Sequence, residues 1–564
     1  MPPMKKIWSL CPFPLIVSIF AVLFTNAAGP YWLAYNNDPA YFYFFNSLYL
    51  LDGLPLYPTT HPGLTLDVLG SLTYKFFHPV LSHQDLFLAV VKDPEFYLHA
   101  MHYLMVFMYV ISLVALGWYA YKKSKDIFFS LLVQSSSLLV LAVPANNGDT
   151  ILPVMAHVKP ETLLVTAVNL LMIGLLKLYW DKNMPSRVPI ALYLGCVCAL
   201  GVFTKYTFIL SLALVLFLLR GFAGRCWFLL GFLIVGFIFY NVETDPYHRI
   251  LVWVKDLVFK SGFTGQMTGK FIEPAEFFPA LKALIIQNFF VFLISCLALF
   301  VGVLKRDKFL FLISGCVLVQ FLMVAKHTNP HYMVPAVGLS GLVMALFYHQ
   351  FRENIPPRIG GLSIIIFTLF SMGWLGYYAQ HLSAKNHAME RYSESLKAKY
   401  QDFVICPFYQ SSSLVFTLAC YTNDMNTYYN KLLYKLYPDY YYYDTNARDF
   451  KDFLSTWVPL SKIEAGHKGV LLYGNDMPEN IFRPSTLVHK IDHTPQGEAL
   501  YFVQSQQSPH AGEFLQYSMM LYAQGQYLPA LQYGVYAKQL GLPGDIGGYL
   551  NQVAARISQM QPNK

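Results

Sequence analysis

The chain is short of charge. Asp, Glu, Lys and Arg together make up 13% of its 564 residues, about half of the ~25% found in soluble globular proteins. That scarcity excludes an ordinary soluble enzyme. Excess charge of one sign is also small, a net +8. The basic residues lie in short connections between apolar runs and not on one soluble face, so the electrostatic footprint of a nucleic-acid-binding protein is missing. Cysteine is scarce as well. Six of the eight (Cys11, Cys196, Cys198, Cys226, Cys296 and Cys316) fall in or beside apolar runs, where a free thiol packs as a small hydrophobe. Cys196-Val197-Cys198 has the wrong spacing for a zinc knuckle. Only Cys406 and Cys420 share the C-terminal soluble segment, and on an extracytoplasmic side those two could form a disulfide.

Apolar and aromatic residues are abundant instead. Hydrophobic residues reach 55% and aromatics 17%, with a mean hydropathy of +0.40. This is the composition of a polytopic membrane protein whose Trp, Tyr and Phe side chains populate the membrane interfaces. Residues 1–28 begin with Lys5-Lys6 and continue as an apolar run. They resemble a signal peptide, but the apolar character persists through Tyr31-Trp32-Leu33, so we read an uncleaved first helix. Further apolar segments at about 98–121, 127–144, 160–180, 188–203, 206–220, 226–241, 281–304, 308–325, 332–350 and 359–378 bring the expected spans to about eleven. Between the first two lies a Pro-broken loop, 36–100. Its stretches Tyr41 to Leu51, Leu64 to Phe77 and Asp85 to Val91 carry apolar residues at helical spacing beside Asp52, Asp67 and Asp85, the pattern of helices lying in the interface.

Lys and Arg next to the spans set the sidedness. Lys5-Lys6, Lys122-Lys123-Lys125, Lys182 with Arg187, Arg220 with Arg225, Lys305-Arg306-Lys308 and Arg352 with Arg358 occupy alternate connections, which places them and the N-terminus in the cytoplasm. The first loop, with six acids against Lys75 and Lys92, then faces outward, as does the tail after an odd number of spans. The expected organisation is a transmembrane module over 1–379, an extracytoplasmic α/β domain over 380–508 and a helical hairpin over 509–564. In the tail, Phe403-Val404-Ile405, Gly469 to Tyr473 and Ala499 to Val503 read as strands and Ser412 to Ala419 as a helix. Tyr440 to Tyr443 reads as packing in a Tyr-heavy domain. The run from Met519 through Ala523-Gln524-Gly525 to Leu531 resembles a single tetratricopeptide-style hairpin, too short to form a solenoid.

Ionisable residues that persist at membrane level are costly and mark sites, and here they collect at the outer helix ends. Asp38 and His61 follow the first span. Lys159 and Glu161 open the segment at 160. Lys205 separates the segments at 188 and 206, and Lys326, His331 and Tyr332 lie between those at 308 and 332. One acid among several cations suits a particular chemistry: a carboxylate takes the proton of an attacking hydroxyl while Lys and His neutralise a departing phosphate. Asp38 before Pro39 also has the form of a helix N-cap, and outer lysines also snorkel.

Asp38 in Asn-Asp-Pro-Ala-Tyr with His61-Pro62, Lys159-Pro160-Glu161, Thr204-Lys205-Tyr206 and His331-Tyr332-Met333-Val334-Pro335, in that order over about 30–350, resemble the membrane glycosyltransferases of the GT-C class, the superfamily of protein O-mannosyltransferases and bacterial aminoarabinose transferases. The resemblance implies a GT-C-like membrane fold in a bacterial inner membrane. The implied reaction is an inverting transfer from a polyprenyl-phosphate-linked sugar to a glycan, lipid or protein hydroxyl at the outer face. Asp38 takes the place of the family's base, Lys159, Lys205, Lys326 and His331 contact the donor phosphate, and His61, Glu161 and Tyr332 contact substrate. Similar enzymes often carry a second acid beside the first, whereas Asn37 and Pro39 flank Asp38 here. The scheme needs no cofactor and leaves a divalent metal open. The glycine-rich run Ser261 to Lys270, with Trp253 and Lys255, resembles a mobile loop near such sites. Rival readings are a transporter or flippase of lipid-linked sugars, which predicts mid-span charge and repeat symmetry, a surface-glycan polymerase or ligase, and a membrane-anchored sensor.

Overall fold

The structure is a computed structural model. It describes residues 8–33, 38–56, 63–143, 154–181, 188–241, 255, 259–260, 271–327, 329–409, 411–423, 427–465, 467–476, 486–494, 497–505, 511–523, 525, 527–539 and 546–560. The chain divides into two compact units, Met1–Ala388 and Met389–Lys564.

The first unit is helical. Among the described residues, six helices are long and apolar enough to cross a membrane: Pro94–Ser124, Pro160–Trp180, Phe222–Tyr240, Lys308–Ala325, Pro330–Phe351 and the one beginning at Ile359. A seventh candidate is the pair Pro274–Gln287 and Phe289–Leu304, bent by 91°. Pro12–Ala28, Ile127–Leu141, Val188–Thr204 and Tyr206–Leu218 are apolar but shorter. This is the architecture of a membrane protein, and the expectation of eleven spans is met by length in only six or seven.

Local chemistry places the starts. Asp126 accepts from the amides of Phe128 and Phe129 at the head of Ile127–Leu141. Asp307 does the same for Phe309 and Leu310 before Lys308–Ala325, so these acids satisfy orphan amides. Asp93 caps Pro94–Ser124 through the Phe96 amide, with Pro94 in the first turn. Glycines let two helices touch at their backbones: a Cβ on Gly195 would lie 2.1 Å from the Phe228 carbonyl oxygen, and one on Gly231 would lie 2.4 Å from that of Leu192. Such contact suits apolar helices, which have no hydrophobic drive to associate in lipid and rely on close packing.

The three helices expected in the first loop are present, as α2 (Ala40–Leu51), α3 (Leu64–Phe77) and α4 (His83–Lys92), with Pro12–Ala28 taken as α1. Helices α2 and α3 are stitched together by polar groups. Ser71 Oγ donates to the Ser47 carbonyl at 2.7 Å and Tyr74 Oη to that of Phe44 at 3.1 Å. Glu95 accepts from the amides of Tyr31 and Trp32, which ties the chain leaving α1 to the head of Pro94–Ser124.

The helix expected at 359–378 runs much further, from Pro357 to Lys399. Beyond residue 379 it still belongs to the first unit, because Asn386, 4% exposed, donates to the carbonyls of Ala27 and Ala28 at the end of α1.

The second unit holds a four-stranded sheet of β1 (Val404–Pro407), β4 (Val470–Asn475), β5 (Thr486–His493) and β6 (Glu498–Ser505), in the order β1-β4-β6-β5. Strands β1 and β4 are parallel, and β6 is antiparallel to both its neighbours. The three strands expected from the sequence are there. A separate hairpin pairs β2 (Tyr442–Asp444) with β3 (Asp449–Lys451), so Tyr442 and Tyr443 of the tyrosine run are strand residues buried against Phe416 and Phe450. Glu498, 1% exposed, accepts from the Ser412 amide and hydroxyl and from Tyr473 Oη at 2.5 Å. The helices Ala511–Ala523, Tyr527–Gln539 and Gly547–Met560 follow, the first two as the expected hairpin. Cys406 and Cys420 are not joined in a disulfide; Cys406 is buried in the sheet core, where desolvation pushes its thiol far up.

Candidate active site

Three chain breaks build the site, and each follows from its local sequence. At Lys159-Pro160-Glu161, Pro160 occupies the first turn of the helix and Lys159 is extended before it, at φ −133° and ψ 149°. Proline is preorganised for that position and disfavours helix in the residue ahead. Glu161 therefore sits in the first turn with its carboxylate near the positive end of the helix dipole. At Thr204-Lys205-Tyr206 the helix Val188–Thr204 stops because Lys205 is extended, at φ −161° and ψ 131°. Thr204 Oγ1 meets Thr65 Oγ1 at 2.9 Å, which brings the start of α3 to this break. Pro330 opens a short 3-10 turn, Pro330–Met333, before Val334–Phe351. It holds His331 and Tyr332, and Gln320 Nε2 donates to the Tyr332 carbonyl at 3.0 Å.

These breaks meet at Glu161. The carboxylate is 1% exposed; its Oε1 accepts from Lys205 Nζ and lies 3.4 Å from His331 Nε2. Lys205 Nζ also lies 4.8 Å above the centroid of the Tyr332 ring, a cation–π contact in a desolvated setting. Oε2 of Glu161 is buried and takes no hydrogen bond among the described residues, an unfilled acceptor next to the cations.

Lys159, 5% exposed, joins the group through charge. Burial pushes its ammonium down from the ordinary lysine range and Lys205 adds to that, while Asp38 and Glu161 oppose it. Asp38 itself is exposed. It does not cap α2: Pro39 holds the N-cap position and the cap has no side-chain hydrogen bond. Asp38 is thus an exposed carboxylate within electrostatic range of Lys159, beside a set in which Glu161, Lys159 and Lys205 are buried and His331 is half-buried.

Two residues that sequence reasoning passed over belong to this neighbourhood. The Tyr43 phenol is raised well above the tyrosine range by burial, with Asp67, Glu161, Asp38 and Tyr332 all pushing it further. It therefore lies within electrostatic range of every acid at the site. Asp67, in the first turn of α3, is 2% exposed. In the sequence Tyr43 lies within an aromatic run and Asp67 in an amphipathic pattern, so neither carries a signal separable from packing.

Lys326 meets a different partner, its Nζ lying 4.2 Å above the centroid of Phe271. His61, Trp253 and the run 261–270 lie outside the described residues. Among those described, no three His, Cys, Asp or Glu side chains are grouped to hold a metal.

No family model, curated protein or solved structure matches this chain.

Proposed function

We propose that the chain is an integral membrane glycosyltransferase of the GT-C kind, which transfers a sugar from a polyprenyl-phosphate donor to an acceptor hydroxyl at the outer face of a bacterial inner membrane. The observation that carries this reading is the gathering of Lys159, Lys205 and His331 around buried Glu161, with exposed Asp38 acting on Lys159. Lys159, Lys205 and His331 offer N–H donors to a phosphate, and the exposed acid is free to meet an acceptor.

The reaction balances as a single displacement. Asp38 takes the proton of the acceptor hydroxyl, the acceptor oxygen bonds to the anomeric carbon from the face opposite the phosphate, and the bond from that carbon to the phosphate oxygen breaks. The electron pair leaves on the lipid phosphate, where Lys159, Lys205 and His331 stabilise it. Glu161 holds Lys205 and His331 in place, and its open Oε2 accepts a hydroxyl of the sugar. We read the bent pair as one span and the four shorter apolar helices as spans too; an odd total of eleven supports an outer position for the second unit.

Purified protein supplied with a panel of polyprenyl-phosphate sugars tests this reading. Turnover by the wild type and its loss in Asp38→Asn is the expected result. Equal rates sink the base assignment, and no turnover with any donor sinks the enzyme.

A further inference from the structure

His102 is a buried titratable group that the transfer chemistry does not use. It is 0% exposed and lies about 12 Å along Pro94–Ser124 from the start of that helix. An ionisable side chain at such a depth is costly, and an apolar one would pack there without the cost. Its partners show what the ring does. Nδ1 lies 3.3 Å from the His157 carbonyl oxygen, and Nε2 lies 2.9 Å from Thr25 Oγ1. Thr25 belongs to α1 and His157 to the segment that leads into Lys159-Pro160, so one imidazole joins three parts of the chain.

That segment is buried without being a helix. Every residue from Met155 to Lys159 is buried, yet only Val154–Ala156 forms a short 3-10 turn. Non-helical backbone at membrane depth persists only where the protein satisfies its polar groups. The His157 carbonyl accepts from the Lys159 amide at 3.0 Å, a closure that turns the chain at Val158 and presents Lys159 extended before Pro160. This closure is local and fastens the turn to no other element. His102 supplies the second donor. A carbonyl oxygen only accepts, so Nδ1 carries the hydrogen whether the ring is neutral or charged. Nε2 meets the Thr25 hydroxyl, which also has the Ala21 carbonyl as an acceptor at 2.8 Å, and a hydroxyl so placed rotates to suit either state of the ring.

We propose that His102 is a positioning residue for Lys159: its Nδ1–H fastens the turn that delivers the lysine, and Thr25 holds the ring at the angle this needs. The phosphate role of Lys159 rests on the function proposed above, whereas the positioning itself does not. Lys159 is 5% exposed, so releasing the turn exposes its amine, and that gives the positioning a direct readout.

The test reads the reactivity of single lysines in the full chain in detergent, with no lipid-linked donor present, so its outcome is separate from that of the turnover assay. Trace acetylation with acetic anhydride, followed by peptide mass spectrometry, compares Lys159 and Lys205 with exposed Lys305. Amide geometry separates the two ring nitrogens: His102→Asn puts an N–H where Nδ1 stands, and His102→Gln puts one near Nε2. Labelling of Lys159 is expected to rise roughly fivefold or more in His102→Gln, the weight of one lost hydrogen bond on local opening, and to stay near the wild-type level in His102→Asn. Lys205 should not change in either variant, because Glu161 holds it. Thr25→Val, a near-isosteric change, is expected to raise Lys159 labelling by a smaller factor, and it carries the test if His102→Gln does not fold. The proposal fails if Lys159 labels as in the wild type in both His102→Gln and Thr25→Val, if His102→Asn matches His102→Gln, or if Lys205 rises in step with Lys159, the mark of general loosening.

Discussion

Glu161 and Lys205 stand to each other as a buried ion pair, and such pairs behave asymmetrically. Removing one member strands the other in a desolvated site, at a cost of about 3 kcal/mol or more, whereas replacing both by apolar or neutral groups is far milder. Glu161→Gln is therefore expected to lower thermal stability in detergent more than the double variant Glu161→Gln with Lys205→Met, which differential scanning fluorimetry would read. Asp38 differs because it is exposed. Asp38→Asn should leave the melting temperature unchanged while lowering transfer at least about 10²-fold, the usual weight of a general base. Lys159 adds a pH dependence. Burial lowers its folded pKa, so its charge is present below that value and lost as the pH rises through it, earlier than for a free lysine. Affinity for the polyprenyl-phosphate product should fade over the same alkaline range, and Lys159→Arg should move the fade upward, because guanidinium keeps its proton. Competition binding across pH 7 to 10 would show it.

At the scale of elements, the close approach at Gly195 and Gly231 leaves no room for a side chain. Gly231→Val is expected to destabilise the first unit by about 1–3 kcal/mol through overpacking and splaying of the two helices, read as a drop in melting temperature. Glu498 makes a second test in the sheet. Its carboxyl is raised above the ordinary value of 4.5, with burial as the largest cause. A raised carboxyl contributes stability that is fully present below the unfolded value and is lost as the pH rises through the folded one. The second unit should therefore lose stability as the pH rises above 4.5, melting at a lower temperature at pH 8 than at pH 4.5, and Glu498→Gln should narrow that gap.

Elements with one clear periodicity were legible in the sequence, such as α2, α3 and the buried strands β1, β4 and β6. Strand β5 escaped because His489, Lys490, Asp492 and His493 break its apolar alternation, as an edge strand with one neighbour permits. The long helix to Lys399 escaped for a similar reason: hydropathy falls near residue 380 while the helix continues, now held by Asn386 and the end of α1.

For the whole molecule, the proposed eleven-span arrangement predicts that cysteines introduced at Lys125 and Lys462 label from opposite sides of the membrane. With native cysteines replaced, an impermeant maleimide added to intact spheroplasts should reach position 462 and spare position 125. Labelling of both or neither from outside would overturn the topology.

Composition and periodicity alone determined that this chain lives in a membrane, that three helices follow its first apolar segment and that a small sheet forms in its C-terminal region, because hydropathy and spacing are local properties. The resemblance in the order of five short motifs picked out Asp38, Lys159, Glu161, Lys205 and His331. Only the tertiary structure decided how they relate. It placed Glu161 between Lys205 and His331, gave Lys326 to Phe271, left Asp38 exposed without a capping role, and drew in Tyr43 and Asp67. Burial and charge–charge distance depend on which helix ends meet, and that is a contact between residues far apart in the chain that no local pattern encodes.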